Sequence, residues 1–182
     1  MSVPSTIRIL NGSSLPATHI VSVRSALEQQ FNVSVELKEY WFDLDTAIDK
    51  PRGQYLSAAL LRQMGAEEQP QERLKLIGLM DADLFAPVLT FVYGEAQLGG
   101  SCAILSTFRL HNAFYGIPPD EKIFLERVAK EAVHETGHLF GLIHCRTFDC
   151  VMRSSTYVEE IDLKSANICP ACRKYLEIRP KS

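Results

Sequence analysis

Eleven residues carry the chemistry that can be read from this sequence: His134-Glu135-Thr136-Gly137-His138-Leu139-Phe140-Gly141-Leu142-Ile143-His144, the pattern HExxHxxGxxH. Histidines four apart share one face of a helix, because each residue turns the chain by about 100°. His134 and His138 can therefore both reach one zinc ion at about 2.0–2.1 Å. Glu135, beside the first ligand, can address a water on the metal and leave the metal itself alone. His144 cannot follow on the same helix, since six more residues would carry it about 9 Å along the axis and turn it away. A break is needed, and Gly141 supplies it. Glycine takes the left-handed conformation at helix ends with little steric cost, which lets the chain turn back. A structural helix with two histidines would explain HExxH alone; the added glycine and third histidine point to a three-histidine zinc site.

A second constellation follows at once. Cys145-x4-Cys150 and Cys169-x2-Cys172 stand eighteen residues apart and hold four of the five cysteines. Two short-spaced pairs at that separation suit a tetrahedral four-thiolate zinc site, closed to substrate and therefore structural. Disulfides in an exported protein and a redox pair at Cys169 and Cys172 are the rival readings; the redox pair leaves Cys145 and Cys150 unexplained. Cys102, in a strand, reads as a small buried hydrophobe. His144 and Cys145 are neighbours serving different metals, and adjacent side chains of an extended segment point to opposite sides.

These residues need a scaffold, and composition bounds it. With 182 residues, 46% hydrophobic and 23% charged, the chain fits one globular domain over 1–182. A net charge of −3 gives no reason to expect nucleic acid or an anionic membrane as partner. No apolar run approaches the roughly 20 residues of a membrane span, and the N-terminus shows no secretory signal. A cytoplasmic protein is expected, with reduced cysteines more often bound to metal than paired.

Strands are expected at Thr6–Leu10, Val33–Leu37, Leu74–Leu79, Phe91–Glu95 and Ser101–Ser106. Helices are expected at Pro16–Phe31, Gln54–Met64, from Asp120 or Glu121 to Leu139, and at Pro170–Ile178. Trp41–Gly53 reads as a surface connection, and Gly65–Gln71, Met80–Leu84 and His111–Asp120 read as loops. Phe124, Leu125, Val128 and Ala132 form the buried stripe of the long helix, whose last turns carry His134 and His138. Alternating strands and helices predict an α/β fold (α+β by some schemes) with a largely parallel sheet, and the short link between strands four and five predicts an antiparallel edge. His19 reads as structural. His111 reads as a surface or hydrogen-bonded loop residue, with a substrate contact as the alternative.

The long zinc motif resembles that of the metzincin metallopeptidases. The run His144-Cys145-x4-Cys150-x-Met152 followed by Cys169-x2-Cys172 is similar to the archaemetzincins. So is Phe91-Val92-Tyr93-Gly94-Glu95-Ala96-Gln97-Leu98-Gly99-Gly100 leading to Ser106-Thr107-Phe108-Arg109. The resemblance implies a compact metzincin-like domain with a twisted, mixed five-stranded sheet and a long active-site helix ending at Gly141. A small zinc-stapled C-terminal subdomain over 142–182 would follow an N-terminal one over 1–141. It implies two zinc ions per chain, a catalytic one on His134, His138 and His144 and a structural one on Cys145, Cys150, Cys169 and Cys172. It also implies that Met152, which the residues alone would allow as ordinary core, floors the catalytic site without ligating. Ser154 stands where some metzincins carry a tyrosine, so no oxyanion donor besides zinc is assigned.

The expected activity is hydrolysis of peptide bonds, with Glu135 as general base towards a zinc-activated water and then proton donor to the leaving amine. The alternatives are a non-catalytic zinc-binding module and an amidohydrolase acting on a small amide. Glu135 favours an enzyme, because a structural three-histidine site has no need of a carboxylate there. A peptide or protein substrate is expected to add along an edge strand near Ser101–Leu105, and the protein is expected to be a monomer.

Overall fold

Ile7, Ile9 and Leu10 are completely buried, and the strand that holds them lies in the interior of a sheet. In the computed structural model, which describes residues 6–71 and 73–178, that strand is β1 (Thr6–Asn11). It is flanked on both sides by parallel partners, β2 (Ser34–Glu39) and β5 (Leu74–Met80). β8 (Cys102–Ser106) adds in parallel to β5, and β7 (Gly94–Ala96) closes the row in antiparallel sense. The order is β2-β1-β5-β8-β7, the mixed five-stranded sheet with an antiparallel edge that the sequence predicts.

Period-two alternation sorts the side chains to the two faces. Ile7, Ile9, Ile77, Leu79, Ala103 and Leu105 face α1 (Ala17–Phe31) and α3 (Glu121–Leu139). Leu10, Leu76, Cys102 and Ile104 face α2 (Ser57–Glu68). Covered on both faces, β8 is buried at all five positions. Cys102 is the small buried hydrophobe expected of it. Helix α3 begins where Oδ1 of Asp120 accepts from the N–H of Ile123. His19, in the first turn of α1, ties this end to Glu121 at 2.8 Å, the structural role read from the sequence.

Five expectations are corrected. Trp41–Gly53 is not merely a surface connection: Phe42 and Ala47 are buried, and Ile48–Asp49 forms β3. With β4 (Gln54–Leu56) and β6 (Leu84–Phe85) it makes a second sheet in the order β3-β4-β6. Gln54–Leu56 is therefore strand, and the helix starts at Ser57. It also runs past Gly65 to Glu68, because Glu67 accepts from Tyr40 and Glu68 from Arg8 and Lys38, which fastens the polar last turn to the chain beside it. Of the strand expected at Phe91–Glu95, only Gly94 and Glu95 belong to β7, while Val92 makes a lone bridge to Leu84. Finally, Ser101–Leu105 does not offer an edge, since β8 is enclosed by β5 and β7; the exposed edge on that side is β7.

Beyond α3 come α4 (Val158–Leu163), which the sequence pattern did not suggest, and α5 (Pro170–Ile178), which it did. Arg127 of α3 holds the end of α4 by a bidentate pair with Asp162, and Lys130 donates to the carbonyls of Ile161 and Asp162. No helix of the described residues is long and apolar enough to cross a membrane.

Candidate metal centres and active site

The end of α3 is built to turn back. The N–H of Gly141 donates to the carbonyl of His138, that of Leu142 donates to Gly137, and Gly141 has φ +82°. This is a Schellman closure with glycine at its left-handed position, as the motif spacing requires. It brings His144 back to the helix. Its ring centroid lies 5.3 Å from that of His134 and 5.0 Å from that of His138.

The histidine rings are oriented by the backbone. Nδ1 of His134 lies 2.9 Å from the carbonyl oxygen of Val151, and Nδ1 of His138 lies 2.7 Å from that of Leu142. A carbonyl only accepts, so each Nδ1 carries the proton and each Nε2 presents a lone pair. The two Nε2 atoms are 3.1 Å apart. Two unprotonated nitrogens facing each other repel unless a cation lies between them. Ligands at about 2.05 Å on one tetrahedral zinc would stand ~3.3 Å apart, so the site fits zinc. Burial lowers the basicity of all three histidines, that of His134 to about 3, which keeps the imidazoles in their ligating form.

Glu135 is buried beside them, and burial, with Glu131 close by, pushes its carboxyl well above the usual range. Strand β7 passes directly over it: a Cβ on Gly94 would sit 2.7 Å from Cγ of Glu135 and 2.6 Å from the carbonyl oxygen of Ile104. Only a residue without a side chain lets the edge strand approach so closely. In the turn that follows, the N–H of Gly99 donates to the carbonyl of His138 at 2.8 Å. Met152 is fully buried, with its Sδ against the backbone of Gly137 inside the zinc motif, and a Cβ there would overlap it.

The four cysteine sulfurs also converge. Cys145, Cys150, Cys169 and Cys172 hold their sulfurs within 4.8 Å of one another, and Sγ of Cys145 is 3.8 Å from that of Cys169. A disulfide would need about 2.05 Å; two thiolates on one tetrahedral zinc at about 2.3 Å stand ~3.8 Å apart. Backbone N–H groups of Thr147 and Cys169 point at the sulfurs of Cys145 and Cys150, as anionic sulfur favours. Burial pulls the Cys169 thiol up, but the Cys172 amide and neighbouring thiols outweigh it and bring it to about 7. The donor set fits zinc as well.

The two groups share one short strut. Val151 orients His134 through its carbonyl, Cys150 belongs to the sulfur cluster, and the Met152 carbonyl accepts from the N–H of Cys145. Three consecutive residues thus serve both sites. His111 stays apart from them: it is exposed and stacks on Phe124 at 3.9 Å. Ser154 and Tyr157 are exposed.

Sequence reasoning missed Glu131 and Lys164, whose side chains are both buried, with Nζ 2.9 Å from Oε1. Lys164 and the nearby histidines hold the Glu131 carboxyl below its usual range even though burial pulls it up. Glu131 could have been noticed, because a charged residue three before His134 falls on the helix face that the motif marks as buried. Nothing in the local pattern marks Lys164, and the orienting carbonyls of Val151 and Leu142 leave no trace in residue type.

A model of peptidase family M54 matches residues 10–178. An archaemetzincin of Methanocaldococcus jannaschii is 40% identical over 128 residues, 70% of this chain and 69% of its own. The crystal structure of an archaemetzincin from Methanopyrus kandleri superposes with a TM-score of 0.83 at 33% identity, covering 96% of this chain and 94% of that one. A zinc-dependent peptidase from Methanocorpusculum labreanum gives the same TM-score at 29% identity, covering 93% and 99%.

Proposed function

The chain belongs to peptidase family M54 and is a zinc metallopeptidase; on that footing we propose that it cleaves peptide bonds with Glu135 as general base and with zinc held by His134, His138 and His144. The observation that carries this is the convergence of the two Nε2 lone pairs at 3.1 Å with Glu135 buried alongside. Zinc, when bound, supplies the Lewis acidity that activates water and the scissile carbonyl.

The chain's own residues do the rest. Glu135 takes a proton from the attacking water at its carboxylate, the water oxygen bonds to the carbonyl carbon, the C–N bond breaks, and Glu135 returns the proton to the leaving nitrogen. Its raised proton affinity suits that exchange, and Lys164 moderates it. An extended peptide substrate adds as a strand to the open edge of β7, which crosses Glu135 at Gly94. A second zinc on the four cysteines staples the chain beyond residue 142 and holds His144 through its neighbour Cys145. The protein acts as a cytoplasmic monomer.

The test is Glu135→Ala. Elemental analysis should give two zinc ions per chain in both proteins, while cleavage of a peptide library falls by about 10²–10⁴-fold in the variant. Equal cleavage by the two proteins would remove Glu135 from the mechanism. A single zinc per chain would remove the four-cysteine site.

A further inference from the structure

A cavity of about 670 Å³ opens where the two sheets meet, at the carboxyl ends of β1 and β5. The chain leaves β1 towards β2 and leaves β5 towards β8, so the connections diverge between these two strands. Open α/β sheets bind ligands at such a divergence. The volume is that of a small-molecule site. None of the histidines or cysteines of the two candidate metal centres lines it.

The walls are aromatic. Trp41 stands at the cavity with 88% of its surface exposed, an unusual cost for the largest apolar side chain. Phe108, 39% exposed, and Tyr55 also line the space. Three carboxylates join them. Asp81 accepts from the N–H of Ser14 and the hydroxyl of Thr107, and Asp43 accepts from the N–H of Asp45. These donors are neutral, and among the described residues Asp43, Asp45 and Asp81 have no ion-pair partner. A fourth, Asp83, is neutralised by its two-point pair with Arg109.

An anionic cavity with aromatic faces selects a cation, and the details decide which kind. Asp81 spends one lone pair of each oxygen on Ser14 and Thr107, which leaves room for a hydrogen bond from an ammonium but not for the bidentate, dense oxygen shell that a divalent metal takes. Ring faces attract organic ammonium groups and cover methylene chains as well. We propose that this cavity between the sheets binds a small linear polyamine, with its ammonium groups beside Asp43, Asp45 and Asp81 and its methylenes against Trp41 and Phe108.

The chain contains one tryptophan, Trp41, so the emission of the unmodified protein reads this cavity directly. Titration of the zinc-loaded full chain with spermidine at 0.15 M salt should give a saturable change in that emission at one molecule per chain. Asp43→Asn combined with Asp45→Asn keeps the local hydrogen-bond acceptors and should weaken binding at least about tenfold. Trp41→Ala, at an exposed position that folding does not need, should weaken it about tenfold by calorimetry. No saturable change, or equal binding of uncharged triethylene glycol, would overturn the proposal. Equal displacement by magnesium would reduce it to nonspecific charge. Binding of Nα-acetyl-lysine N-methylamide as tight as that of spermidine would replace the free amine by a polypeptide side chain and overturn the small-ligand form.

Discussion

The ammonium of Lys164 lies 2.9 Å from Oε1 of Glu131, with 0% and 4% of the two side chains exposed. The same ammonium donates to the carbonyl of Arg153, the residue after Met152. One buried pair therefore joins the helix that carries His134 and His138 to the strut beneath it.

Breaking this pair on one side strands a charge in the interior. Lys164→Met should cost about 3–5 kcal/mol in urea unfolding. Adding Glu131→Leu removes the stranded carboxylate and should recover most of that loss. A double variant no more stable than the single one would show that packing, and not the unpaired charge, governs the position.

Acid should destabilise the metal-free protein through its histidines. Their folded values are depressed by burial, that of His134 to about 3, so from about pH 6.5 downward the unfolded chain binds protons that the folded chain refuses. Stability falls across that window. Glu135 acts in the opposite sense: its folded value is raised, so the folded state gains a proton first and is favoured as pH drops towards about 4.3. Denaturation of EDTA-treated Glu135→Gln between pH 7 and 4 should therefore be steeper in pH than that of the EDTA-treated wild type. Parallel curves would contradict the assignment of Glu135 as proton-bound in the metal-free fold.

Gly94→Ala tests the closeness of the edge strand to Glu135. The added methyl meets backbone at Ile104 and the Glu135 stem, so β7 must move out by several tenths of an ångström or more. Peptidase kcat should fall about tenfold or more while bound zinc stays unchanged, since no histidine is touched. Unaltered kcat would show that β7 does not position the base.

Cys172→Ser should remove the sulfur-bound zinc and also weaken the other site. Cys145 is tied to Met152 by its N–H and to Cys169 through sulfur, so loosening the cluster loosens the adjacent His144. Zinc transfer from the histidine site to a chromophoric chelator should be about 10–100-fold faster in the variant than in the wild type. An unchanged histidine-site rate would separate the two centres.

Much of this site was legible because its ligands are side chains at fixed spacing on one helix and one turn. Gly141 could be placed by geometry alone, and Cys169 and Cys172 by their pairing. The second sheet was not legible: β3 and β6 have two residues each, too few for an alternation to register. The start of α2 was misread because Tyr55 and Leu56 continue its apolar pattern, although the backbone there pairs with β6. The edge was misplaced since β7 is three residues long and begins with glycine, so the longer, more apolar β8 looked like the rim. What remained hidden was long-range: Lys164 meets Glu131 across thirty-three positions of chain, and no local periodicity reports that.

Helix α5 has an apolar side but no fully buried residue, and Gln30 receives two hydrogen bonds from its Arg173. Besides Arg173, Leu176 packs against the core, and Cys172 joins the sulfur cluster with Cys169 just before the helix. With zinc on the four cysteines as proposed, its removal should loosen α5 before the sheet. Trypsin should clip near Arg173 and Lys174 within minutes of chelation, well before the sheet unfolds, and equal cleavage with and without chelator would show that the sulfurs do not hold this helix.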